Sequence, residues 1–378
     1  MIYLDNSATT AVCPQAAEKA AYMMTECFGN PSSLHTVGIR AEQELSQARQ
    51  AVAEMMGATA DRVFFTSGGT EANNLAVLGS AAALSRSSRH AVTTAVEHPS
   101  VAAAFDRLEQ QGWTVTRVMP DAAGDISLQA ILQACRPDTA LISVMLVNNE
   151  TGAQFPVLSG LSALRRLCPQ ARIHCDAVQA AGKLPLRALH SGIDLVSVSG
   201  HKLHAPKGVG ALYVRRGVRL IAGALGGGQE GALRAGTEAM PAIAAFGAAV
   251  GALPSYAQQQ QHFAQLYQTL LEQTEALRQA GRVVLHRPQN AVDYIVNLSV
   301  PGYRSETLLH ALAQQQIYVS SGSACSKGKK SAVLSAMSLP AEHIDSALRL
   351  SFCMQNTPQD IIAFVQALQH ATQTLVGR

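Results

Sequence analysis

The sequence predicts an α/β protein built on a mostly parallel sheet, with a second, smaller domain. Three observations lead there. Helix-length segments alternate with short β-rich runs along most of the chain. Several of those runs are continuously apolar rather than alternating, as strands covered on both faces are. At 378 residues the chain is too long for one small core.

Taken in order, helices are expected at 15–27, 38–56, 70–84 and 99–111. The first strands are Arg62-Val63-Phe64-Phe65 and Ala91-Val92-Thr93-Thr94-Ala95, rich in aromatic and β-branched residues. Leu141 to Val147, Arg172 to Cys175, Leu195 to Val198 and Ala211-Leu212-Tyr213-Val214 follow as further strands. The character changes near Pro254. A glutamine-rich helix from Gln258 to Gln273 leads to strand Asp293 to Val300, a helix at 304–315, and strands Ile317-Tyr318-Val319 and Ala347 to Phe352. Thr357-Pro358-Gln359-Asp360 opens a closing helix, with a capping Thr and Pro in the first turn. A large domain is therefore expected at 16–257 and a small α+β domain at 258–378, joined by residues 1–15.

Composition bounds the partners. Apolar residues make up 48% of the chain and charged residues 15%, an ordinary globular balance. A net charge of +3 is too small to suggest a nucleic-acid partner. The seven cysteines are scattered and form no C-x-x-C pair, which argues against a disulfide framework or a metal site and fits a reducing compartment. Met1-Ile2-Tyr3-Leu4-Asp5 has neither a basic nor an apolar leader character, and no run approaches the roughly 20 apolar residues that cross a bilayer. A cytoplasmic protein without a membrane partner is expected.

In doubly wound sheets, ligands sit beyond the carboxyl ends of the strands. Five strand exits here carry candidate ligand groups. Phe65 is followed by Thr66-Ser67-Gly68-Gly69-Thr70-Glu71-Ala72-Asn73-Asn74, small residues opening a helix, which suits an anion. Ala95 leads to Glu97-His98-Pro99, and Val147 to Asn148-Asn149-Glu150-Thr151-Gly152. Cys175 is followed by Asp176 and Gln179, and Val198 by Ser199-Gly200-His201-Lys202. Singly, each has a bland reading as a turn, a helix cap or a solvated pair. Together they point to one cofactor pocket. Pyridoxal phosphate needs an amine for its aldehyde, an acid to keep its ring nitrogen protonated, and donors for its phosphate; Lys202, Asp176 and their neighbours supply all three.

These residues resemble a known family. Asn30-Pro31-Ser32-Ser33-Leu34-His35, the Thr66–Asn74 and Asn148–Gly152 segments, Ser199-Gly200-His201-Lys202 and Ser321-Gly322-Ser323-Ala324-Cys325 look like cysteine desulfurases of the NifS/IscS type. Those are class V aminotransferase-like enzymes of pyridoxal phosphate fold type I, so the resemblance implies a seven-stranded type of sheet and a small domain carrying the cysteine loop. It makes Lys202 the lysine that holds the cofactor, Asp176 the partner of the ring nitrogen and Gln179 that of the phenolic oxygen. His98 would stack on the ring and assist proton transfer. Gly69, Thr70, Ser199 and His201 would hold the phosphate, and Thr237 would reach the phosphate of the other subunit of a homodimer with shared active sites. Asn149 and Arg349 would face the carboxylate of L-cysteine, and Cys325 would receive its sulfur as a persulfide, leaving L-alanine. The sulfur would pass to an acceptor protein, an iron–sulfur scaffold or a tRNA-thiolation enzyme.

Cys325 lies in a Ser-, Gly- and Lys-rich run from Ser320 to Ser331, where Lys327, Lys329 and Lys330 favour a thiolate. The other six cysteines lack such surroundings and read as packing residues. The chain departs from the family pattern at Cys353-Met354, where a Gly-Arg pair is expected, at Gly231, where Arg is common, and at Ala239, where Asn is usual. These positions bear on substrate affinity and partner choice. Two alternatives stay open: a selenocysteine lyase or other class V enzyme, and a non-catalytic sulfur-relay or scaffold protein.

Overall fold

The computed structural model describes residues 1–84, 88–321 and 330–375. In chain order its strands are β1 (Ile2–Tyr3), β2 (Val63–Thr66), β3 (His90–Thr94), β4 (Thr114–Val118), β5 (Thr139–Ser143), β6 (Arg172–Asp176) and β7 (Leu195–Ser199). They continue with β8 (Gly210–Val214), β9 (Val284–His286), β10 (Ile295–Ser299), β11 (Ile317–Tyr318), β12 (Ser320–Ser321) and β13 (Ala347–Ser351).

Seven of them form one sheet in the order β2-β8-β7-β6-β5-β3-β4. Neighbours from β7 to β4 pair in parallel. β8 runs antiparallel to both β7 and β2, so it is the one reversed strand of the seven. β3, β5, β7 and β8 are buried along their whole length, which explains their unbroken apolar or small character. Helices Gly69–Ala83 and Pro99–Gln110 connect β2 to β3 and β3 to β4. The carboxyl ends of β2, β3, β5, β6 and β7 therefore share one edge, and the α/β architecture is the one expected.

A second sheet is antiparallel, in the order β12-β13-β10-β9, with β1 pairing in parallel with β11 nearby. Helices Tyr256–Gln279 and Pro358–Thr374 pack against each other in this region. The last helix starts as its sequence implies: Thr357 Oγ1 accepts from the Asp360 N–H, and an Asp360 oxygen accepts from the Thr357 N–H.

Several elements differ from expectation, three of them near the site or in the core and sheet edge. The strand expected from Leu141 to Val147 enters the sheet only as Thr139–Ser143; Val144 to Val147 leave it toward the site, with the Leu146 N–H still donating to the Asp176 carbonyl. Helix Met240–Gly251 and edge strand β4 were not expected. That helix is apolar all round and packs against helices Pro14–Thr25 and Thr36–Met56, burying Met240, Ile243 and Phe246. Each such side chain contributes roughly 1.5–3 kcal/mol, enough to hold a helix that has no polar face. No single helix among the described residues is long and apolar enough to cross a membrane.

Candidate active site

At the shared strand edge lies a cavity of about 290 Å³. Its wall begins where β2 turns into helix Gly69–Ala83. A Cβ on Gly69 would stand 2.8 Å from a Val178 methyl, so only glycine lets the helix start this close to the exit of β6. Gly69 and Thr70, at the start of this helix, line the cavity, and the first N–H groups of a helix have no intrahelical partners, the usual setting for an anion. Directly beside Gly69, Ser199 is buried and its Oγ has no hydrogen-bond partner among the described residues. A buried hydroxyl without a partner costs free energy that a ligand oxygen relieves. A phosphate fits both features.

Deeper in, four side chains are linked. Asp176, 4% exposed, accepts from Asn73 Nδ2 at 2.7 Å and from the Val178 N–H at 2.9 Å. Asn73 Nδ2 also lies 2.9 Å from Ser100 Oγ, which is 2.8 Å from His98 Nδ1. The chain of contacts fixes the His98 ring at the N-cap of helix Pro99–Gln110. Burial lowers the pKa of that ring; Asp176 pulls it up and Lys202 pulls it down, with a net fall. His201 is pushed down to about 4 by burial and by Lys202, Lys207 and His98. Both imidazoles are thus neutral near pH 7. Glu97 is pushed up to about 8 by burial, although the Thr94 hydroxyl at 2.8 Å and the Met145 N–H at 3.0 Å both donate to its Oε1.

Lys202 projects from the turn after β7. Its Nζ donates to the carbonyls of Ser7 and, at 2.7 Å, Ala8. The same N-terminal segment takes a hydrogen bond from Gln179 Nε2 to the Ser7 carbonyl (3.0 Å), and Thr10 donates to the His201 carbonyl (3.0 Å). Arg349, 3% exposed on β13, closes the wall: Nη2 pairs with Asp5 Oδ1 at 2.7 Å, Nη1 donates to the Asn149 carbonyl at 2.9 Å, and Nε has no partner among the described residues.

Gly69, Thr70, His98, Asn149, Asp176, Gln179, Ser199, His201, Lys202 and Arg349 therefore line one cavity. Thr237 does not; it is exposed on the loop before helix Met240–Gly251. Cys325, with Lys327 and Lys329, lies outside the described residues, and Lys330 is exposed. The other six cysteines are buried and free, as packing residues are. Ser7, Ala8, Asn73 and Ser100 also line the cavity, and sequence reasoning missed them. Asn73 carried a signal, being one helical turn beyond Thr70, whereas Ser7 and Ala8 act through main-chain oxygens that no side chain advertises. A larger hollow of about 570 Å³, lined by Leu75, Arg107 and Trp113 among others, gathers no comparable set.

Among known proteins, residues 2–364 match the class-V aminotransferase family. The chain is 39% identical to "NifS/IcsS protein homolog" of Lactobacillus delbrueckii subsp. bulgaricus, over 99% of this chain and 97% of the relative. It is also 39% identical to "Cysteine desulfurase 2" of Trichormus variabilis, over 99% and 94% of the two chains. Its structure superposes on that of a "NIFS-LIKE PROTEIN" with a TM-score of 0.91 and 30% identity, covering 99% of this chain and all of the other.

Proposed function

The chain belongs to the class-V aminotransferase family and is a cysteine desulfurase; we propose that it uses pyridoxal phosphate to convert L-cysteine to L-alanine, passing the sulfur to Cys325. The observation that supports this most is the meeting in one cavity of Lys202, Asp176 and a Ser199 hydroxyl that has no partner among the described residues. When bound, pyridoxal phosphate supplies an aldehyde for amines and a ring that takes up electrons from the substrate's Cα.

The chain's own residues do the rest. Gly69, Thr70, Ser199 and His201 hold the phosphate, with His201 as a neutral donor or acceptor. Asp176, held in place by Asn73 and the Val178 N–H, keeps a proton on the ring nitrogen. Gln179 faces the phenolic oxygen. Lys202 moves the proton at the substrate's Cα, beside the neutral His98 ring. Arg349 and Asn149 receive the substrate carboxylate, since a guanidinium binds carboxylates through paired N–H groups. Cys325 sulfur then bonds to the substrate sulfur as the Cβ–S bond breaks. The carbon is reduced and takes up a proton, Cys325 is oxidised to a persulfide, and L-alanine leaves.

Thr237 completes the phosphate site of a second copy in a homodimer. Residues 16–257 form the cofactor domain, and 1–15 with 258–378 the domain that carries Cys325. The persulfide serves an acceptor protein, an iron–sulfur scaffold or a tRNA-thiolation enzyme, in the reducing cytoplasm that suits six buried free thiols.

Incubating the reconstituted enzyme with L-cysteine and a reductant is expected to yield alanine and sulfide in equal amounts. Cys325→Ala should lose both products while keeping the cofactor's absorbance. A keto-acid product, turnover of selenocysteine alone, or undiminished sulfide release by the Cys325 variant overturns the reading.

A further inference from the structure

We propose that Asp5 is a specificity-determining residue of this site: it is the resident counter-ion of Arg349, and a substrate's α-carboxylate has to exchange with it. The inference rests on the desulfurase reading with Arg349 as the carboxylate anchor.

Arg349 has little freedom. It is almost wholly buried, and the edge formed by Nη1 and Nη2 is occupied by the Asn149 carbonyl and the Asp5 carboxylate. Nε is buried too, out of reach of solvent. A carboxylate that binds a guanidinium through two parallel N–H···O bonds needs two adjacent donors. Neither edge offers both while Asp5 stays in place. Asp5 is the partner able to yield. Its side chain is 19% exposed against 4% for Arg349, and it lies just past the two-residue β1, tied to the sheet by a single bridge to Ser351. Once released, its charge reaches water, which a buried Arg349 cannot do.

Glu150 is also within electrostatic reach of Arg349, but it does not take over as counter-ion. Its Oε2 is occupied by the Ser331 hydroxyl, and burial pushes its carboxyl up to about 7. Binding of the substrate carboxylate is therefore a difference between two carboxylates at one guanidinium. That difference weakens ground-state binding of every α-amino acid and leaves the chemical step untouched, so it appears in KM rather than kcat. A ligand without a carboxylate has nothing to exchange and leaves the Arg349–Asp5 pair closed.

Asp5→Asn keeps the shape and an acceptor oxygen but removes the competing charge. In the pyridoxal phosphate-loaded enzyme this variant should lower KM for L-cysteine by about tenfold, equivalent to 1.4 kcal/mol, with kcat little changed. L-Alanine should inhibit it more tightly by a similar factor, and L-alaninamide no more tightly than it inhibits wild type. Asp5→Glu, which retains the charge, should keep the wild-type KM. A KM that is unchanged or raised in a folded Asp5→Asn enzyme overturns the proposal. So does failure of both Asp5→Asn and Asp5→Ser to fold, which makes the pair structural. Alanine formation by wild type, measured in parallel, tests the desulfurase reading separately.

Discussion

Glu97 stands next to the ring-stacking candidate His98, yet its own carboxyl points away from water and is held neutral. Two donors converge on Oε1, while Oε2 is buried without a partner among the described residues. Burial dominates, and the folded carboxyl titrates near 8 against an ordinary value near 4.5. The sign follows from proton counting. Between those two pH values the folded chain holds a proton that the unfolded chain has lost. Stability is therefore full below about 4.5, falls as pH rises, and levels off above about 8. The loss across the window is on the order of a few kcal/mol. Glu97→Gln is neutral at every pH and should lack this slope. Thermal midpoints of variant and wild type should diverge in the variant's favour from pH 5 to 8; parallel curves would show that Glu97 does not hold its proton. The identity of such residues was largely legible, since a strand exit announces its side chains. Asp176, His98, Ser199 and Lys202 all line the cavity as expected. The acid state of Glu97 was not legible, because burial and the missing partner of Oε2 are three-dimensional facts.

At the scale of elements, the reversed strand β8 does two jobs. Its first residue, Gly210, pairs with Ser199 on one side and Thr66 on the other, so it lies directly beside the turn from Thr66 to Thr70 that is proposed to hold the phosphate. A Cβ there would stand 2.7 Å from Gly68 Cα and 2.7 Å from the Val198 carbonyl oxygen. Both neighbours are backbone and cannot move without shifting the turn or the ladder. Gly210→Ala should cost roughly 1–3 kcal/mol of stability and loosen pyridoxal phosphate by about tenfold or more, read by equilibrium dialysis of the folded variant. Unchanged retention would mean the turn does not hold the phosphate. Elements with a one-sided or unbroken apolar pattern were legible. Helix Met240–Gly251 was not, because a helix buried on every side lacks the polar face that marks a period of 3.6 residues. Strand β4 escaped for the opposite reason: at the sheet edge it keeps Thr114 exposed and Arg117 half-buried, so its sequence carries little apolar signal.

For the whole molecule, the exposed Thr237 and the large apolar side chains left on the surface belong to one argument. Leu34 is 95% exposed, Leu225 91% and Phe28 70%. In the proposed homodimer, a second copy would cover such residues and lend Thr237 to the neighbouring phosphate. No periodicity within one chain encodes that arrangement, which came only from the family resemblance. It makes a sharp prediction about mixing. A Lys202→Ala chain lacks its own amine but still lends Thr237; a Thr237→Val chain lacks the lent hydroxyl but keeps its amine. In a mixed dimer one site receives both wild-type groups and the other neither. With free subunit exchange half the dimers are mixed, so about a quarter of all sites are complete. At limiting pyridoxal phosphate, the mixture should recover about a quarter of wild-type alanine formation, well above the sum of the two variants alone. Activity equal to that sum would mean each chain builds its phosphate site by itself.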